Sequence, residues 1–400
     1  MKKGFSAFGV LCIIAVIGLA TFACLVSQGI IKINRESKID IKPETDIYIN
    51  QNKEDIQKEG TDIYNKQSEK IEDEGEKMNL SKDLNFVYSL EDKTDSNTVW
   101  CGTFNLIWNL LKDELAKKDI IFENMTDVVI NLNKGTFSED DLDEDCYYIT
   151  YGYATKELKN IIEKAIKDKF NETSDILESF DFLEDSNDYF LYTMLKKEFK
   201  FKYKFDELEN GKFKDTEDVK YFGIRESSKE ELKDQVEVLY YDSDDSFAVK
   251  LKTKTNDEII LNKSPKGNSF YDIYNNILNL NSEFDGNMYL DTKDTLKVPY
   301  LKLDALSEVK EVENKPFSFA NGESYYISKA LQTIKFELDS TGGKIKSEAA
   351  MMVRETAALI TEPEEIRHFN LDDEFVIFLK EKDSKLPYFA AKINDITKFN

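Results

Sequence analysis

One set of residues in this chain has the types and order for nucleophilic chemistry. Cys101 follows Trp100 and stands at the start of an apolar-periodic stretch, where the dipole of a helix N-terminus favours the thiolate. His368 is the only histidine. It alone could act as the base, with Asn370 to orient it, in a papain-like cysteine hydrolase. The Cys-Gly-Ser-Cys-Trp type of signature around the nucleophile is missing, however. A buried or bridged Cys101 and a strand-edge His368 account for the same residues without catalysis. A lone histidine also excludes a His-rich metal site. The acidic run EDDLDEDC, Glu139 to Cys146, lacks the alternating spacing and the Gly of an EF-hand loop. After Ser138 the same acids suit a helix N-terminus. Asp242, Asp244 and Asp245 read as turn residues rather than ligands, and no Gly-rich phosphate loop is present. The expectation is therefore a protein that is not an enzyme and takes no cofactor or metal.

The elements that would position these residues follow from hydrophobic periodicity. Phe104, Ile107, Trp108, Leu111 and Leu115 recur at helical spacing, with Thr103 placed to cap and Lys117 and Lys118 suited to the C-terminal dipole. Leu158, Ile161, Ile162, Ala165, Ile166 and Phe170 mark a second amphipathic helix, and Tyr189 to Phe199 reads as a third. After Tyr221 the pattern turns to strands. VEVLYYDSDDSFAVKLKTKTNDEIILNKSP predicts an antiparallel meander turning at Asp244-Asp245 and Asn256-Asp257. A helix is expected over Tyr271 to Leu280, then strands at LKVPYLKLD, QTIKFELD, EFVIFLKEK and LPYFAAKI, the last two joined by a turn at Ser384-Lys385. The class is α+β, with a helical first half and antiparallel sheets in the second half. No repeat of fixed period is visible.

Charge and hydropathy set the setting. Lys and Arg total 54 against 78 Asp and Glu, a net charge of −24. That field repels phosphate backbones, so nucleic acid is not an expected partner, and it keeps a surface domain soluble. Gly4 to Ile31 carry no charge and include GVLCIIAVIGLA, enough apolar chain to span a bilayer as a helix. Lys2 and Lys3 before it and a long domain after it favour export of that domain. Three fates compete: an uncleaved anchor, cleavage after Thr21-Phe22-Ala23, or lipidation at Cys24, whose lipobox is poor. All three place the domain outside the cytoplasm, and the expected location is the cell membrane, single-pass. Residues 32–95 are dense in charge and amide side chains and read as a polar tether that cannot bury enough surface to order itself. The division expected is thus 1–31 anchor or signal segment, 32–95 tether and 96–400 folded domain. Cys101 and Cys146, the cysteines of the folded part, are candidates for one disulfide or for two buried free thiols.

Four stretches in order resemble the serpins. They are NTVWCGTFNLIWNLLKDELAKKDIIF, LKVPYLKLDALSEVKE, KALQTIKFELDSTGGKIKSEAAMM and HFNLDDEFVIFLKEKDSKLPYFAAKI. They are similar to that family's opening helix, a strand-plus-helix unit, the strand leading into the reactive-centre loop, and the closing strands. The resemblance places Gly342-Gly343 and Glu348-Ala349-Ala350 where serpins have their hinge, and puts a reactive-loop-like segment at 349–367 with Arg354 as its candidate bait. It implies a loop that inserts into a sheet after cleavage. Here Arg354 and Glu355 would put a charge on each face of the inserted strand, and the segment is short. The expected function is therefore a non-inhibitory serpin-like module binding a protein or peptide partner. An active protease inhibitor is the alternative.

Overall fold

The structure is a computed structural model that describes residues 84–345 and 366–399. The segment read as anchor, most of the tether, and Glu348, Ala349, Ala350 and Arg354 lie outside the described residues. Among the described residues no helix is long and apolar enough to cross a membrane.

The fold begins earlier than the charge-rich composition up to Glu91 suggests. Strand β1 (Asn85–Phe86) pairs in parallel with β2 (Thr98–Cys101), and Val87, Tyr88 and Leu90 are buried. The Asp92 carboxylate closes the intervening loop, accepting from the Tyr88 and Ser89 amides at 2.9 Å each and from the Asn131 side chain at 2.9 Å. Residues 85–95 therefore belong to the domain and not to the tether. A handful of apolar side chains in NFVYSL is enough to dock them.

Helix α1 (Thr103–Leu110) runs on as a wider π-helical turn over Leu111–Ala116. Its cap position is Gly102 and not Thr103, because the Thr103 hydroxyl is taken by the Gln332 side chain at 2.9 Å. A Cβ at Gly102 would lie 2.1 Å from the Phe137 ring, so only glycine lets the chain turn there. Helix α2 (Asp127–Lys134) follows and is pinned to α1 by the Trp108 indole, which donates to Asn133 at 2.9 Å. Strand β3 (Tyr147–Tyr153) leads to α3 (Lys156–Phe170), which is capped by the Thr155 hydroxyl and buries Ile162, Ile166 and Phe170, as the spacing predicts.

The expected third helix is instead two strands, β4 (Tyr189–Leu195) and β5 (Lys197–Lys200). In β4, Phe190, Tyr192 and Met194 pack beneath α3 while Tyr189 and Leu191 pack against the α1 cluster. A strand covered on both faces is apolar throughout, so its sequence shows no alternation to distinguish it from a buried helix.

Short strands β6 (Asp206–Glu207), β7 (Gly211–Phe213), β8 (Thr216–Val219) and β9 (Tyr221–Ile224) come next, then the one-turn helix α4 (Glu230–Lys233). The meander is present as β10 (Val236–Ser243), β11 (Ser246–Lys252) and β12 (Asp257–Lys263), followed by α5 (Phe270–Glu283). Strands β13 (Thr295–Pro299) and β14 (Leu301–Glu308) continue. β14 keeps its pairing through Glu308, so the helix expected after LKVPYLKLD does not form. A hairpin of β15 (Pro316–Ser318) and β16 (Ser324–Tyr326) precedes β17 (Leu331–Asp339) and β18 (Gly342–Ile345). After the gap in the description come β19 (His368–Asn370), β20 (Phe375–Glu381) and β21 (Pro387–Ile393).

Three main sheets result. Seven strands run in the order β1-β2-β21-β20-β12-β11-β10, four as β19-β13-β9-β6, and four as β14-β17-β18-β5. Pairing is antiparallel except at β1–β2 and β13–β19. The α+β class is confirmed, although strands already alternate with helices in the first half.

One buried ionic cluster ties two of these sheets together. Lys197 of β5 meets Asp257 of β12 at 2.8 Å and Glu381 of β20 at 2.5 Å. Tyr388 donates to Asp257 at 3.0 Å, and the Asp143 amide donates to Glu381 at 3.1 Å. Burial alone would lower the Lys197 pKa, but Asp257, Cys146 and Glu381 outweigh it and raise it. A cation with a raised folded-state pKa contributes its stability in full below the ordinary lysine value, and loses it only as pH rises through the folded one. Lys197→Met strands two buried carboxylates and should cost about 3–5 kcal/mol at neutral pH. Urea unfolding measures this, and a loss under ~1 kcal/mol would contradict the assignment of the cluster as a pin between sheets.

Candidate functional site

Strand β17 is paired along one edge over the whole of β14, from Leu301↔Leu338 to Glu308↔Leu331. Among the described residues its other edge is paired only at Glu337, Leu338 and Asp339, with β18. Strand β4 is likewise paired with β3 on one edge, from Tyr147↔Leu195 to Tyr153↔Tyr189. Among the described residues no strand takes its other edge. β5 continues the line of β4 and pairs with β18 from Gly342↔Lys200 to Ile345↔Lys197. β18 thus fills one end of a slot between β17 and the β4–β5 line. Beyond Ile345 the slot continues as a cavity of about 90 Å³.

The cavity continues the line of β18 and is bordered by strands on two sides. Thr193, Met194 and Leu195 line one side and Leu331 to Lys335 the other. Thr103, Phe104 and Ile107 of α1 close one face, and Ser174, Asp175 and Ile176 after α3 close the opposite face. Two polar atoms inside have no hydrogen-bond partner among the described residues: Thr193 Oγ1 and Gln332 Oε1. These residues are only 9% and 4% exposed. The Gln332 amide nitrogen is used, donating to the Cys101 carbonyl at 3.0 Å and to the Thr103 hydroxyl at 2.9 Å. An unpaired buried polar group costs about 1–3 kcal/mol, a cost that a hydrogen-bonding occupant of the cavity would relieve.

The end of the slot is shaped by DSTGG. Asp339 Oδ1 accepts from the Thr341 and Gly342 amides at 2.7 and 3.1 Å, turning the chain. Gly342 has φ 153°, and a Cβ there would lie 2.1 Å from the Phe199 carbonyl oxygen. At Gly343 a Cβ would meet the Phe199 ring at 2.5 Å and the Glu337 carbonyl at 2.6 Å. Only the glycine pair lets β18 enter between β17 and β5. Gly342-Gly343 are therefore part of a paired strand.

The residues singled out for chemistry are not brought together, and of them Cys101 alone borders the cavity. Cys101 is buried on β2 in the seven-stranded sheet, and its thiol pKa is pushed up by burial, which outweighs the hydrogen bonds from Thr103 and Gly102. His368 sits on β19, the edge strand of another sheet, with Nδ1 2.9 Å from the Thr295 hydroxyl. Asn370 is in register with Lys297 of β13. The hydrolase arrangement does not form: the thiol is disfavoured as a thiolate and the imidazole is engaged with Thr295.

The suggested bridge does not form either, since Cys101 and Cys146 are both free and buried. The Cys146 thiol instead donates to the Asp143 carbonyl at 3.0 Å, and burial raises its pKa well above the usual thiol range. In the acidic run, Ser138 caps the short turn Glu139–Asp141, while Glu139 accepts from the Tyr147 hydroxyl at 2.8 Å. Among the described residues no group of His, Cys, Asp or Glu could hold a metal ion. Asp244 and Asp245 form the β10–β11 turn; Asp244 accepts from the His368 amide at 3.0 Å, and Asp245 lies 3.2 Å from Lys263. Thr193, Gln332 and Lys197 were not foreseen. For Gln332 in LQTIKFELD and Thr193 in YFLYTML the sequence signal is a polar side chain at an inward position of an apolar strand, and Lys197, in the polar strand KEFK, has none.

No protein-family model matches the sequence, and no curated protein does. Solved structures that resemble this one include thyroxine-binding globulin in complex with thyroxine, at 14% identity and a TM-score of 0.36, covering 60% of this chain and 64% of that one. The chain thus spans less than two thirds of that protein. Cleaved Serpin 42Da gives 12% identity and a TM-score of 0.41, over 62% of this chain and 74% of that one. Serpin48, a highly specific serpin of the insect Tenebrio molitor, gives 12% identity and a TM-score of 0.34, over 64% and 78%.

A thiol held neutral and buried is a poor nucleophile. Iodoacetamide at neutral pH should leave Cys101 unmodified in the native chain for hours and label it promptly after unfolding, as read by peptide mass mapping. Rapid labelling of native Cys101 would restore the enzyme reading.

Proposed function

We propose that this chain is a single-pass, membrane-anchored extracytoplasmic serpin-like module. In this reading it binds a protein or peptide strand in the slot between β4 and β17 and does not trap proteases. One observation carries it: among the described residues two strand edges lie unpaired around a cavity lined by the orphaned Thr193 and Gln332 side chains. Strand addition uses such an edge for affinity, through main-chain hydrogen bonds, and its side-chain pockets for selectivity. The membrane anchor rests on the uncharged run Gly4 to Ile31. The non-inhibitory role rests on how little of the slot is left. β18 already pairs with β17 at Glu337 to Asp339, which leaves mainly residues 331–335 to gain partners. Insertion of the chain's own loop would then release far less free energy than a trap requires.

The inhibitor reading keeps one specific support. In β18 the Ile345 side chain is buried and Lys344 exposed, so a strand continued in that phase would turn residues 347, 349, 351 and 353 inward. These are Ser347, Ala349, Met351 and Val353, and Arg354 would face out. The burial penalty raised against insertion then falls on Glu355 alone.

Limited cleavage within 349–367 separates the two readings. A domain of this size shifts its Tm by roughly 2–4 °C per kcal/mol. The binding module should therefore melt within ~3 °C of the intact chain after cleavage, whereas a rise beyond ~15 °C would mean that the loop inserts and that the protein is a trap.

A further inference from the structure

The slot also prescribes the side chains of its occupant. We infer, building on the reading of the slot as a strand acceptor, that its partner is a foreign β-strand of pattern apolar-x-Ser/Thr-x-apolar. The register comes from β18, which pairs Ile345 with Lys197 on one side and Lys344 with Glu337 on the other. A strand extended past Ile345 advances one residue per step against both neighbours. Its second added position falls between Leu195 and Ile334, its fourth between Thr193 and Gln332, and its sixth between Leu191 and Ala330. All three points are inward, since Ile345, Ile334 and Gln332 are buried on the same face of their strands.

The chemistry at each point is distinct. Leu195 and Ile334 call for an apolar side chain. Gln332 Oε1 can only accept a hydrogen bond, while the Thr193 hydroxyl can donate or accept. A single hydroxyl between them donates to Gln332 and accepts from Thr193, satisfying both orphaned atoms at once. The sixth position, facing Leu191 and Ala330, is again apolar. This chain's own sequence past Ile345 runs Lys-Ser-Glu-Ala-Ala-Met. It would put Ser347 against the two apolar residues and Ala349 against the two polar ones. The polarity is inverted at both points, so the chain's own segment leaves the buried atoms unsatisfied and is a poor competitor for the slot.

The test uses the full-length chain in detergent and three blocked nine-residue peptides corresponding to positions 346–354. One has the native sequence, one carries Ser347→Val, and one carries Ser347→Val with Ala349→Thr. Calorimetric titration should give the third peptide an affinity on the order of tenfold or more above the second, equivalent to one buried hydrogen-bonding group satisfied. In the chain carrying both Thr193→Val and Gln332→Leu that preference should shrink to less than threefold while the second peptide binds as before, each single substitution removing only part of it. Melting curves confirm that the double variant and both single variants are folded. Equal affinity of the second and third peptides, or a preference that survives both substitutions, overturns the inferred partner pattern but leaves the strand-accepting slot standing. Failure of all three peptides to bind overturns the slot itself and the inference with it.

Discussion

A strand edge buried in a protein must find partners for its amides and carbonyls, because each one left unpaired away from water costs as much as a lost hydrogen bond. Most of this fold meets that demand in the ordinary way, with β2, β21, β20, β12 and β11 paired on both sides. At one place it does not. Among the described residues β17 and β4 present edges with no strand between them, and their surroundings hold those edges in place. α1 underlies the slot and the segment after α3 covers it, while Lys197 fixes β5 to the neighbouring sheet through Asp257 and Glu381. The glycines of DSTGG admit one short strand at the end of the slot. In the proposed role, a frame tied on several sides would set the acceptor positions before a ligand arrives.

How much of this was legible in the sequence depended on whether an element shows its period. α1, α3 and α5 bury one face and expose the other, so their apolar residues recur at helical spacing. The β10–β12 meander and the β20–β21 hairpin are punctuated by Asp244-Asp245, Asn256-Asp257 and Ser384-Lys385. β4 carries no strand alternation and reads as helix because both of its faces are covered. Residues 85–95 were assigned to the tether because their few apolar side chains are diluted by charge, although Val87, Tyr88 and Leu90 dock fully.

The site was hidden for a different reason. Cys101, His368 and Asn370 have chemically suitable types, and only the topology shows that they sit on β2 and β19 of separate sheets. The slot, conversely, does not depend on a nucleophile and base, although the buried Cys101 borders its cavity. It is a missing pairing, and pairing is a property of strands distant in sequence, so composition and spacing contain no trace of it. Gln332 and Thr193 stood out only as single polar residues in apolar runs, a pattern shared with any well-satisfied core amide or hydroxyl.

Amide hydrogen exchange along β17 tests the unfilled edge most directly. In a strand paired on one side only, every second amide lacks a partner. The account expects residues 331–335 to alternate between protected amides bonded to β14 and amides that exchange orders of magnitude faster, with 337–339 protected throughout. Uniform protection from 331 to 339 would mean that the edge is already paired, and the slot would not exist.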